Sequence, residues 1–135
     1  MSTNIRSGRH CVFLMHVHLV FVTKYRRQIF SKNMFECMKT VFEDVCGQFD
    51  SSLEEFDGEA DHVHLLINFP PKVSVSKLVN SLKGVSSRIL RRDFPSLRRN
   101  CMKSQFWSPS YFAGSCGGAP LTVIKQYIEN QKSPE

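Results

Sequence analysis

Two tripeptides in this 135-residue chain share one spelling, His16-Val17-His18 and His62-Val63-His64. Side chains two apart on a β-strand point to the same face. On a strand, each pair therefore holds two imidazoles side by side, and two such imidazoles could share a metal ion. Neighbouring strands could even combine all four histidines into one zinc site, and periodicity does not rank these options. A strand histidine is also commonly just a hydrogen-bonded structural residue. A different candidate sits near the C-terminus. Tyr127 and Gln131 are four apart, so on a helix they occupy one face. A tyrosine at the rim of the stripe set by Leu121, Ile124 and Ile128 is ordinarily an amphipathic core-edge residue. It can instead be a covalent nucleophile. It then needs help, because a phenol of pKa ~10 is mostly protonated at neutral pH. A metal ion polarising a phosphodiester supplies part of that help.

The elements that must position these residues follow from periodicity. His10 to Thr23 is a long apolar, β-rich run and is predicted to be one central strand. Phe13, Met15, Val17, Leu19 and Phe21 share one face, and His16, His18, Val20 and Val22 share the other. It ends in the basic cluster Lys24-Tyr25-Arg26-Arg27. Ser31 is a predicted N-cap, and Phe35, Met38, Val41, Phe42, Val45 and Phe49 then recur at helical spacing up to about Gly47. Ser51 to Glu59 reads as an acidic strand with a turn at Asp57-Gly58 or just beyond. Asp61 to Ile67 reads as the next strand, closed by Pro70-Pro71. The connection is too short for a crossover, so these two form an antiparallel hairpin.

Residues 74–92 form the next helix, with Val75, Leu78, Val79, Leu82, Val85, Ser86, Ile89 and Leu90 on one face and Phe94-Pro95 as its stop. A basic loop over 95–110 is expected to anchor Phe106-Trp107 in the core. Ser110 to Cys116 is a short final strand, Gly117-Gly118 a joint, and Pro120 fits the first turn of a last helix to about Gln131. The order β-α-β-β-α-β plus a C-terminal helix predicts an α+β, ferredoxin-like fold, with a four-stranded antiparallel sheet and two helices on one face. The first and third strands are expected side by side at its centre. By parity, all four histidines then lie on the face away from the helices. One domain spans residues 1–135.

Composition narrows the partners. With 41% hydrophobic residues the chain can build one core, and no apolar run approaches the ~20 residues a membrane helix needs. Without a signal-peptide pattern at the start, a cytoplasmic protein is expected. Five cysteines, odd in number and without a CxxC, point to reduced thiols rather than a disulfide framework. The net charge is +6. Lys83, Arg88, Arg91, Arg92, Arg98, Arg99 and Lys103, against Asp93 alone, equal that whole excess. Such a cluster attracts a phosphate backbone. Eight acids over residues 43–61, with no Lys or Arg, set an opposite block.

Taken in order, Lys24-Tyr25-Arg26-Arg27 after an apolar strand, Asp61-His62-Val63-His64-Leu65-Leu66, the Lys83-Gly84 helix and Tyr127-Ile128-Glu129-Asn130-Gln131 resemble one family. It is the single-tyrosine HUH transposases, the IS200-like (TnpA) family of small insertion sequences, and the likeness runs from about His10 to Gln131. The resemblance implies that His62 and His64 are the metal-binding pair, with Gln131 as third metal position and Tyr127 as nucleophile. The ion is expected to be magnesium or manganese. It implies nicking of single-stranded DNA at element ends through a 5′-phosphotyrosine link, with a free 3′-hydroxyl, and later rejoining. The link conserves the bond energy, which agrees with the absence of a GxxxxGK[ST] loop. It also implies recognition of DNA hairpins, served here by Lys24, Arg26, Arg27, Lys83, Arg88, Arg91 and Arg92. A homodimer whose subunits share active sites is implied as well. His18 matches a position where the family often carries histidine, without a ligand role following from that.

Other readings share parts of this pattern. A non-catalytic ferredoxin-like hairpin-binding module would need the basic patch but neither Tyr127 nor a metal. A zinc hydrolase built on His16, His18, His62 and His64 lacks the expected carboxylate base and ligand spacings. A domesticated single-tyrosine nuclease would share the chemistry and differ in its DNA target.

Overall fold

The computed structural model describes residues 5–24, 28–97 and 105–115. In chain order the elements are β1 (Arg6–Ser7), β2 (Val12–Phe13), β3 (His16–Val22), α1 (Lys32–Gln48), β4 (Ser52–Glu59), β5 (His62–Asn68), α2 (Val75–Asp93) and β6 (Phe112–Ser115). Strands β4-β5-β3-β6 form one antiparallel sheet in that order. The two central strands are therefore the two that carry His-Val-His, as the β-α-β-β-α-β order predicts. The C-terminal helix expected from Pro120 to Gln131 lies outside the described residues.

The helices begin where their caps dictate. The Ser31 hydroxyl accepts from the Met34 N–H, and the Ser74 hydroxyl from the Lys77 N–H. Each satisfies a donor that the first helical turn leaves unpaired. Helix α1 stops at Phe49, followed by Asp50 in the left-handed region at φ 53°. Helix α2 stops at Phe94 before Pro95. Met34, Met38, Val41, Phe42 and Val45 of α1 and Leu78, Val79, Leu82 and Leu90 of α2 are buried. They pack on Val17, Leu19 and Phe21 of β3 and Val63, Leu65 and Ile67 of β5. Each such side chain contributes about 1.5–3 kcal/mol by leaving water. The 105–111 segment joins this core. Phe106 and Trp107 are buried, and the Trp107 indole N–H donates to the Ser86 hydroxyl at 3.0 Å. That bond accounts for a buried serine on the apolar face of α2.

One expectation is corrected. The run from His10 to Thr23 is not a single strand. Val12–Phe13 pairs with Arg6–Ser7 in a separate small hairpin, and β3 begins only at His16. Leu14 and Met15, between them, are exposed at 49% and 37%. Past the His16–Asn68 pair one further bond forms, from the Phe69 N–H to the Met15 carbonyl at 3.0 Å, and the partner chain then meets Pro70-Pro71, which have no N–H to donate. The small hairpin is tied to this end of the sheet. Arg6 donates to Asn68 Oδ1 at 2.7 Å and to the Asp50 carbonyl at 2.6 Å. Among the described residues, no helix is long and apolar enough to cross a membrane.

Candidate functional site

Strand parity sorts the two central strands cleanly. Val17, Leu19 and Phe21, with Val63, Leu65 and Ile67, lie under the helices. His16 and His18, with His62 and His64, take the other face, as alternation requires. The antiparallel register then decides which of them meet. His16 faces Asn68, His18 faces Leu66, Val20 faces His64 and Val22 faces His62.

His62 and His64 stand together, with ring centroids 5.1 Å apart and planes near perpendicular at 81°. His62 is buried, and its Nδ1 lies 2.8 Å from Asp61 Oδ1. A carboxylate only accepts, so His62 carries a proton on Nδ1, and in the neutral ring the lone pair is on Nε2. His64 is half-buried, and its Nδ1 lies 3.3 Å from His18 Nε2. Burial, then the neighbouring His62 and His18, pull the His64 pKa down to about 4. Burial likewise lowers His18. His64 is therefore neutral near pH 7, the form in which an imidazole binds a metal.

Beside this pair runs the acidic strand. The β4–β5 register sets Glu55 against Leu66, Asp57 against His64 and Glu59 against His62, all on the histidine face. Glu59 Oε2 comes within 3.9 Å of His62 Nε2. The hairpin turns at Ala60-Asp61, beyond Asp57-Gly58. Gly58 lies within β4, where an added Cβ would run into the His62 carbonyl and come within 2.9 Å of Val63 Cα. Only a glycine allows that approach. Asp61 and the acidic row were missed as site residues in the sequence. The signal was available: once the turn is placed at Ala60-Asp61, alternation back along β4 puts Asp57 and Glu59 beside the histidines.

A divalent metal fits this donor set in part. Two imidazoles stand side by side on one rigid strand with their Nδ1 atoms engaged, and carboxylates alongside favour a cation. Among the described residues, no three His, Cys, Asp or Glu side chains converge as a metal-holding group. Gln131, the expected third position, and Tyr127 lie outside the described residues. His16 is buried opposite Asn68. Its Nε2 has no hydrogen-bond partner among the described residues, and neither has Asn68 Nδ2. The structure thus does not bring all four histidines to one point.

The expected DNA-contacting bases are dispersed. Arg88 and Arg92 are exposed and Arg91 half-buried, all on α2, across the sheet from the histidines. Arg92 pairs with Asp93 at 2.8 Å. Lys83 directs its ammonium to the carbonyls of Ser108, Ser110 and Pro109 at 2.7, 3.1 and 3.4 Å. It also lies over the rings of Tyr111 and Phe21, and burial pulls it down to about 8. Lys24 bonds Gln105 at 2.6 Å, just past the end of β3 that carries the His62 partner Val22. Arg26 and Arg27 lie outside the described residues. Of the cysteines, Cys46 is buried, Cys37 half-buried and Cys11 exposed, all free thiols.

Fold and site together define an α+β protein with a paired-histidine site on the face of a ferredoxin-like sheet away from α1 and α2. Comparison with known proteins makes this specific. The family described as "Transposase IS200 like" matches residues 11–131, and the chain belongs to that family. It is similar to the ISDra2 transposase TnpA of Deinococcus radiodurans, 28% identical over 135 residues, covering 100% of this chain and 96% of that protein. It is also similar to the transposase for insertion sequence element IS200 of Salmonella typhimurium, 33% identical over 126 residues, covering 93% and 82%. A solved candidate transposase from Deinococcus radiodurans superposes with a TM-score of 0.84 at 30% identity, covering 95% of this chain and 98% of the other. A REP-associated tyrosine transposase bound to a REP hairpin shares the fold, with a TM-score of 0.57 at 11% identity, covering 96% and 69%.

Proposed function

We propose that this protein nicks and rejoins single-stranded DNA at insertion-sequence ends, as a single unit over residues 1–135. The observation that carries the reading is the His62/His64 pair. Both rings stand on one strand face with Nδ1 engaged, in a chain of the IS200-like transposase family. His62 and His64, with Gln131, hold a magnesium or manganese ion, a mixed nitrogen and oxygen set that suits manganese well. When bound, the ion polarises a phosphodiester and offsets the charge that develops on its oxygens. Tyr127 attacks the phosphorus with its phenolate oxygen. The bond from phosphorus to the 3′-oxygen breaks, that oxygen takes up a proton, and DNA is left as a 5′-phosphotyrosine ester. A 3′-hydroxyl later attacks the ester, returns the tyrosine and closes the strand.

Lys24, Arg26, Arg27, Arg88, Arg91 and Arg92 contact backbone phosphates of hairpins at the element ends, which sets affinity and its salt dependence. Lys83 contributes to that surface by holding the 108–110 loop against α2. Hairpin binding by a protein of the same fold supports this partner class. The acting form is a homodimer with sites shared between subunits, in the cytoplasm.

The test incubates the full chain with single-stranded oligonucleotides carrying hairpins, with and without Mn²⁺, and looks for a covalent protein–DNA adduct. The expected result is a metal-dependent adduct that is lost in Tyr127→Phe. Metal-independent binding without cleavage would instead favour a hairpin-binding module. An adduct that survives Tyr127→Phe would move the nucleophile elsewhere.

A further inference from the structure

The two ring nitrogens of a histidine are not equivalent, and the hydrogen bond made by one fixes what the other can do. A histidine that binds metal through Nε2 carries its proton on Nδ1, and needs an acceptor there to hold both tautomer and ring angle. His62 has such an acceptor in buried Asp61. At His64 Nδ1 the neighbour is not a carboxylate but His18 Nε2, at 3.3 Å.

We propose that His18 is the positioning residue of His64: its Nε2 accepts the His64 Nδ1 proton and so keeps His64 Nε2 free and aimed for a metal. The inference rests on reading His62 and His64 as a metal pair. The geometry around His18 suits the role. Its ring is held from two sides, by His64 with centroids 5.5 Å apart and by the edge of Phe112 at 6.3 Å. These contacts come from different strands, β5 and β6, so His18 is fixed relative to both neighbours of β3. Register makes the assignment selective. His18 sits diagonally from His64, two residues along from the directly facing Val20, whereas His16 faces Asn68 at the far end of the strand. Of the first triplet, only His18 reaches the second.

The test uses the full-length chain and two variants, His18→Phe and His18→Gln. Phenylalanine keeps a ring against Phe112 but cannot accept, and the glutamine amide oxygen can. Mn²⁺ is titrated in and the free ion is read by electron paramagnetic resonance. His18→Phe is expected to weaken Mn²⁺ binding by about 10- to 100-fold, and His18→Gln to restore most of that loss. Nitrogen-15 NMR of the metal-free imidazoles is expected to show the His64 proton on Nδ1 in the parent chain, and a shift toward Nε2 in His18→Phe. Unchanged Mn²⁺ affinity in His18→Phe, or a His64 proton on Nε2 in the parent chain, would overturn the proposal. Equal losses in both variants would do the same, because they would mark a merely structural role. If the parent chain bound no Mn²⁺, the metal-pair reading would fall, and the tautomer measurement would still decide the hydrogen bond separately.

Discussion

The two His-Val-His triplets lie on the same face of adjacent central strands, yet they have come to different ends. In the second, His62 and His64 stand 5.1 Å apart with both Nδ1 atoms engaged. The first is split. His18 reaches across to His64, while His16 is buried against Asn68, its Nε2 unpartnered among the described residues. Equal spelling and equal parity did not give equal chemistry, because antiparallel register offsets the two triplets. What surrounds the second triplet also matters. Asp61 precedes it in the turn, and the acidic strand β4 runs along its other side.

The largest expected effect separates the triplets by function. His62→Ala and His64→Ala should each cut Mn²⁺-dependent adduct formation with hairpin oligonucleotides by about 100-fold or more, since the metal supplies several kcal/mol of charge stabilisation. His16→Ala should leave adduct yield near the parent level. Equal losses at His16 would erase the distinction and restore the four-histidine reading.

A second effect concerns the strand that carries the second triplet. Gly58→Val places a branched side chain where even a Cβ meets the His62 backbone. Overpacking of this kind costs about 1–3 kcal/mol, readable as a lower urea midpoint. A midpoint equal to that of the parent would show that β4 can shift without disturbing β5.

The comparison also has a pH signature in the metal-free protein. His64 titrates at about 4 when folded, against 6.5 as its ordinary value. Between those values the unfolded chain binds more protons than the folded one, so stability falls as pH drops from 6.5 toward 4. Above that window this group adds no pH dependence. Denaturant midpoints measured across it should fall less steeply in His64→Leu. Identical slopes would assign the acid sensitivity to other groups.

The smallest effect is expected at His16. His16→Leu removes a buried ring nitrogen that lacks a partner among the described residues, so its stability should change by no more than about 1 kcal/mol in either direction. A loss of several kcal/mol would mean that the ring holds the Arg6–Asn68 contact in place.

Much of this was legible in the chain. Ser31 announced the first helix start, the apolar stripe from Val75 the second helix, Phe94-Pro95 its stop, and alternation along both central strands put the four histidines of the triplets on one face. The break at Leu14-Met15 was not legible, because it arises from the partner strand's ending at Pro70-Pro71 and not from any residue between His10 and Thr23. Lys83 reads as a surface base from its helix position, but the 108–110 loop folds back onto it from 25 residues away. Local pattern carries no information about such a return.

By itself, then, the sequence determined the two helices, the four strands of the main sheet, their order and the face that each triplet histidine takes, since these depend on periods of 2.0 and 3.6 residues that are written locally. Only the tertiary structure decided that His18 meets His64, that His16 meets Asn68 and that Asp57 and Glu59 flank the pair. Register, set by long-range strand pairing and by where each strand's partner stops, chose among contacts that periodicity leaves equivalent.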